Sequence, residues 1–231
     1  MKKIAMKGAI KDLRRSLSIF FTYLSPGMNK ETKIIVSAEE LHVLQDQEFF
    51  RKKKNITEKI YNQFALLIRQ LEYENIFLDI SFPTATDVST GKISKGENYL
   101  GFPFVLLDFP RLFSNDEIIA IRTMVWWGNF ISCTLLVTGS RLALCRKAVI
   151  QNYLKLASVN TWICVNDSPW HHHFDADNYK LMLHLNKFEV EWLLSKNLFL
   201  KLSRKIPVGE INDLVPFSIE SITMYALLFR N

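Results

Sequence analysis

The chain has 231 residues, 48% hydrophobic, 13% aromatic and 23% charged, enough apolar surface to offset the entropy of folding, which excludes disorder over most of its length. No apolar run reaches the ~18–20 residues needed to span a bilayer, and Asp12, Arg14 and Arg15 interrupt the N-terminal segment where a signal peptide needs its apolar core, so a cytoplasmic protein is expected. The formal net charge of +6 is concentrated, because Lys2, Lys3, Lys7, Lys11, Arg14 and Arg15 against Asp12 place +5 in the first fifteen residues.

Residues 8–24 carry Ile10, Leu13, Leu17, Phe20, Phe21 and Leu24 at helical spacing, with Pro26-Gly27 as a stop, and predict a basic amphipathic helix. Ser37 and Glu40 form an S-x-x-E capping box that opens a helix to about Lys53, and Asn55 with Glu58 opens another to about Glu72. On that reading Arg51-Lys52-Lys53-Lys54 falls at a helix C-terminus, where the dipole favours cations. NIFLDISF at 75–82 alternates with period two and predicts a strand. The polar stretch 83–98 is longer than an ordinary connection and is expected to be either disordered or functional. Its Thr90-Gly91-Lys92-Ile93-Ser94 fails as a phosphate loop, since Thr86 stands where the first glycine belongs and no Ser or Thr follows Lys92 directly.

NYLGFPFVLLDFPRLF at 98–113 predicts a strand whose Pro103 and Pro110 mark an edge or a bulge. Ser114 and Glu117 read as a capping box for a helix ending near Trp126, and NFISCTLLVT follows as a strand. A helix is expected from Gly139 to about Ala157, strands at 161–166, 178–185 and 198–206, and a short helix capped by Asn186 with Glu189. The final apolar segment near 220–229 reads equally as strand or helix. Helices first, then strands without regular β-α-β alternation, predict an α+β fold: an antiparallel or mixed sheet with helices packed on one face. Residues 1–29 form the N-terminal helical region in this reading and 30–231 one domain.

The stretch GENYLGFPFVLLDFPRLF, together with RTMVWWGNF, resembles a small set of uncharacterised proteins from Bacteroidetes bacteria. That resemblance implies no function and supplies no catalytic residue.

Cys133, Cys145 and Cys164 are odd in number and lack C-x-x-C spacing, which excludes a disulfide framework and a four-cysteine zinc site; apolar neighbours mark them as core residues. The dense cluster of ligand types is SPWHHHFDADNY at 168–179. In an extended chain His171 and His173 point the same way, with Asp175 on that face, and the three could hold Zn or Fe. Asp177 or His184 would stand in support, while the favoured reading of this stretch is a polar turn with solvated imidazoles. Arg122 and Asp108 each lie among apolar residues, so Arg122 is expected to pair with Asp108 or Asp79. Trp126 and Trp127 are expected to be core anchors with their N–H groups bonded.

The leading functional expectation is a non-catalytic binding or adaptor protein without a cofactor. Its basic helix, with Lys3, Lys7, Lys11, Arg14 and Arg15, would dock on a protein partner or acidic surface. Against it stand a metal-dependent hydrolase or oxygenase using His171, His173 and Asp175, and an RNA-associated factor pairing phosphates and stacking bases with the same arm.

Overall fold

The computed structural model describes residues 34–230. The predicted helix 8–24 and the basic residues Lys3, Lys7, Lys11, Arg14 and Arg15 lie outside the described residues. The chain divides into two compact units, Met1–Arg51 and Lys52–Asn231.

In the first unit, helix α1 (Ala38–Gln45) opens on the capping box foreseen in the sequence: Ser37 Oγ accepts from the Glu40 amide at 3.1 Å, and the Glu40 carboxylate accepts from the Ser37 amide at 2.7 Å. The next helix, α2 (Gln47–Tyr73), is separated from α1 by the single residue Asp46 and runs unbroken. Asp46 Oδ1 accepts from the Phe49 amide at 2.8 Å and so takes the capping role expected of Asn55. With a start already made and no Gly or Pro before Tyr73, Asn55 and Glu58 are helix interior, and Arg51-Lys52-Lys53-Lys54 lies within the helix, not at a C-terminus. Within the second unit, Lys53 pairs with Glu97, and Lys54 with Glu58 one turn on at 3.8 Å.

The α2 stripe Ile60, Phe64, Leu67 and Leu71 is buried, and Asn75 in the left-handed region (φ 52°) ends the helix. The expected strand 75–82 is instead a series of turns, Leu78 N–H bonding Asn75 O at 3.1 Å and Ile80 N–H bonding Phe77 O at 3.2 Å. Ile76, Phe77, Ile80 and Phe82 pack against the core while Leu78 is exposed. Burial here does not follow the period of two, since Phe77 packs inward and Leu78 outward, and the segment has no strand partner.

Seven strands form one wholly antiparallel sheet in the order β1-β2-β3-β4-β7-β5-β6. They are β1 (Lys92–Tyr99), β2 (Phe102–Phe113), β3 (Ile118–Trp126), β4 (Phe130–Val137), β5 (Trp162–Cys164), β6 (Tyr179–Leu181) and β7 (Leu200–Pro207). The polar stretch read as a loop is therefore half strand: β1 is a sheet edge, and its lysines and glutamate suit an edge that must not recruit another strand. Leu100 and Gly101, at φ 50° and 85°, make the two-residue turn into β2. As the prolines foretold, β2 slips register between Asp108 and Arg111.

The helix expected at 114–126 is strand β3. Ser114 and Glu117 do bond as an S-x-x-E pair, the Glu117 amide donating to Ser114 Oγ at 3.0 Å, but they close the turn between β2 and β3. Both faces of β3 are covered and apolar along most of its length, which hides the period of two from hydropathy.

Helices α3 (Leu142–Gln151), α4 (Tyr153–Ser158), α5 (Lys187–Lys196) and α6 (Leu214–Ala226) complete the second unit. The ambiguous C-terminal segment is thus helical, and the predicted helix 139–157 breaks at Asn152. Buried side chains of α2, α3, α5 and α6 share one cluster with Ile119, Ile121, Val125, Ile131, Cys133, Leu135 and Leu202 of the sheet. All helices of this core lie on one sheet face, as the α+β reading requires. No helix among the described residues is long and apolar enough to cross a membrane.

Candidate functional site

The opposite sheet face sets the site, because strand alternation sends the residues between those core positions outward. It displays Leu106, Met124, Trp126 and Phe130 at one end, Leu136, Cys164, Trp162 and Tyr179 at the other, and between them Asp108, Arg122, Thr134, Lys201 and Ser203. Residues 165–178, the connection between β5 and β6, cover part of this face as a strap. Phe174 stacks on Tyr179 with centroids 4.6 Å apart and meets Phe130 and Trp162 edge-on. The Tyr99 hydroxyl accepts from the amides of His172 at 2.6 Å and His173 at 3.1 Å. Fully buried Asn178 donates to the His173 carbonyl, and Asn197 donates to the Asn166 carbonyl at 2.9 Å.

Beneath the strap, Arg122 and Asp108 are direct cross-strand neighbours joined by two hydrogen bonds, Nε–Oδ1 at 2.7 Å and a terminal nitrogen to Oδ2 at 2.9 Å. This settles the partner expected for Arg122 in favour of Asp108, although both residues stand on strands. The other terminal nitrogen lies 3.4 Å from His172 Nε2. Since guanidinium has no acceptor, Nε2 is the unprotonated nitrogen. Burial, reinforced by Arg122 and Lys201, holds the His172 imidazole neutral, down to about 3.

Lys201 is only 2% exposed. Its ammonium donates to the His171 carbonyl and lies 4.9 Å from the centre of the Tyr179 ring. Among the described residues no carboxylate pairs with it. Burial, with Arg122 adding to it and Cys164 opposing, brings Lys201 down to about 8. A cavity of about 20 Å³ lies between Arg122, Thr134, His172 and Lys201, walled by Phe113, Ala120, Leu136, Pro169 and Trp170. Half-exposed Trp170 marks its solvent side. The set carries two cations and one carboxylate, a net buried charge of plus one.

His173 and Asp175 come together as expected, Nδ1 to Oδ2 at 3.2 Å, and Asp177 Oδ1 joins them at 3.8 Å. The His171 ring stands edge-on to His173 at 5.6 Å, outside that trio, and exposed His184 lies on the separate 3-10 turn Met182–His184. The strap curls through a turn at 175–178 and brings Asp177, not His171, to the His173 ring. All three cysteines are buried, and burial pushes the thiols of Cys133 and Cys145 up to about 12 and raises Cys164 as well, so they are core residues and not nucleophiles. The Trp126 ring is an anchor among Tyr99, Phe102 and Phe130, but its buried N–H has no acceptor, against expectation.

Sequence reasoning missed Lys201. The signal was a lone lysine between Leu200 and Leu202 in an apolar strand, the same signal that singled out Arg122 and Asp108. The chain matches no family model, and no curated protein or solved structure matches it.

Proposed function

We propose that this is a non-catalytic binding protein whose ligand is a small carboxylate with an apolar tail, held beneath the strap. The observation that carries this reading is Lys201, an almost fully buried ammonium without a carboxylate partner, facing a cavity it shares with Arg122. Asp108 already neutralises Arg122, so the site has one positive charge to spare, and an isolated buried charge is costly. A carboxylate between Lys201 and the His172-facing nitrogen of Arg122 would balance it; the closed cavity of about 20 Å³ has room for a water-sized group, so the apolar tail lies along Phe113, Leu136 and Trp170 only when the strap moves outward. Binding fits better than catalysis, because the thiols are buried and protonated and the Lys201 amine is engaged by the His171 carbonyl. The basic arm with Lys3, Lys7, Lys11, Arg14 and Arg15 belongs to the same reading as the surface that docks on an acidic partner, supported by the charge distribution of the chain.

Thermal unfolding at low ionic strength with butyrate tests the ligand class. Butyrate should raise the melting temperature of the wild type and leave that of Lys201→Met unchanged. Without ligand, Lys201→Met should be more stable than the wild type by about 1–3 kcal/mol, because an apolar side chain of similar length replaces an uncompensated buried cation. An equal shift in both proteins, or none in either, would sink the reading.

A further inference from the structure

We propose that His173, Asp175 and Asp177 form a binding site for a divalent transition-metal cation, Mn²⁺ or Zn²⁺, at the outer end of the strap. The three donor atoms lie within 4.8 Å of one another. Donors ~2.1 Å from a shared ion stand about 3.0–3.4 Å apart, and His173 Nδ1 is 3.2 Å from Asp175 Oδ2 and 3.8 Å from Asp177 Oδ1. Asp177 is exposed and closes the remaining gap by turning its side chain.

The imidazole carries the argument beyond a cluster of acids. The His173 side chain is only 12% exposed, and its Nδ1 is buried with no hydrogen-bond partner, although two carboxylates stand beside it. A protonated Nδ1 in that position would be expected to donate to one of them; an unprotonated Nδ1 leaves a lone pair beside both carboxylates, and a cation shared by the three would satisfy it. The backbone on either side of the ring is also held. The Tyr99 hydroxyl accepts from the His173 amide, buried Asn178 donates to the His173 carbonyl, and the Asn178 and Tyr179 amides donate to the Asp175 carbonyl at 2.9 and 3.0 Å. These bonds fix the turn that presents both carboxylates.

One imidazole and two carboxylates suit Mn²⁺ or Zn²⁺ with further positions taken by water, and suit Mg²⁺ or Ca²⁺ less, since those ions prefer all-oxygen sites. Lys205, whose ammonium lies 4.6 Å from the centre of the Phe174 ring and feels the charge of Asp175, offsets part of the double negative charge. A cation here ties residues 173, 175 and 177 together, and His172, which walls the cavity, is the next residue in the chain. It would fasten the strap. The cation site does not rest on the carboxylate reading and can stand without it.

Calorimetric titration of tag-free, chelator-treated full-length protein with MnCl₂ and with ZnCl₂ tests the proposal. One ion per chain is expected, weakened at least about tenfold by Asp175→Asn and by Asp177→Asn, both exposed and expected to keep the wild-type melting temperature. His171→Ala should bind as the wild type does. Bound Mn²⁺ should show coupling to an imidazole nitrogen by electron spin-echo spectroscopy, and lose it in His173→Gln. Failure of both metals to bind stoichiometrically, affinity unaltered in Asp177→Asn, or loss of binding in His171→Ala would each overturn the site. Because no carboxylate ligand is present, the outcome is independent of the test on Lys201.

Discussion

Asp108 accepts two hydrogen bonds from Arg122 and leaves Lys201 without an acid. The two cations therefore have opposite energetics. Truncating Arg122 strands a carboxylate that is 4% exposed, so Arg122→Leu should cost about 3–5 kcal/mol, whereas Asp108→Leu with Arg122→Leu should recover most of that loss. Urea denaturation of the two variants measures the difference. For Lys201 the sign runs the other way. Its folded value near 8 lies below the unfolded 10.5, so between those pH values the unfolded chain binds more protons and the ligand-free protein gains stability as pH rises. That gain should vanish in Lys201→Met. The groups facing Lys201 are Arg122 on β3, Cys164 on β5, Tyr179 on β6 and the His171 carbonyl and His172 of the strap. Burial raises the Tyr179 hydroxyl well above its ordinary value and holds His172 neutral, and the Cys164 thiol is raised too, so Lys201 is the group among them that titrates near pH 8. A bound carboxylate stabilises the ammonium, so butyrate affinity should be highest below pH 8 and fall as pH rises through it.

At the scale of elements the strap depends on few bonds, and Tyr99 supplies two of them. Its hydroxyl reaches from the end of β1 to the His172 and His173 amides. Tyr99→Phe keeps the ring contact with Trp126 but leaves both amides without their acceptor, at about 1–3 kcal/mol for each donor left unsatisfied. Hydrogen exchange at His172 and His173 should accelerate in that variant while β3 and β4 stay protected; unchanged exchange would mean the strap is held elsewhere. The same elements explain what the sequence could and could not reveal. Local bonding was legible: the Ser37–Glu40 and Asn186–Glu189 boxes both form, since each needs only residues three apart. The Arg122–Asp108 pair was legible from two charges in apolar runs. Strand β3 was not, because both of its faces are covered and its S-x-x-E start serves equally as a turn. Strand β1 was hidden by its edge position, where polar residues are favoured, and the apolar 75–82 run mimicked a strand without a neighbour to pair with. The His-rich strap was found by composition, but whether His171 or Asp177 joins His173 depends on a turn that spacing in an extended chain cannot reveal.

Across the whole molecule, charge and core are separated along the sequence. The first fifteen residues hold +5 of the net +6, while the buried hydrophobic side chains of the described residues begin at Ile60. The sheet, α3 to α6 and the buried stripe of α2 from Ile60 to Leu71 lie within residues 52–230, and their principal cluster draws on α2, α3, α5 and α6. Removing residues 1–15 should leave cooperative unfolding and the melting temperature of the body nearly unchanged, because residues from Ile60 to Phe229 build the principal core cluster. The same deletion takes net charge from +6 to near +1, and attraction to a surface of opposite sign scales with the charge presented to it. On vesicles with anionic lipid, or on a cation-exchange resin, the truncated protein should bind weakly and elute at much lower salt than the full chain, whose own binding should fall steeply as salt screens the arm. Butyrate should still raise the melting temperature of the truncated protein, because Arg122 and Lys201 remain in place. If the truncated chain binds the anionic surface as before, the docking charge lies elsewhere; if it no longer unfolds cooperatively, the arm is part of the fold and not a separable docking segment.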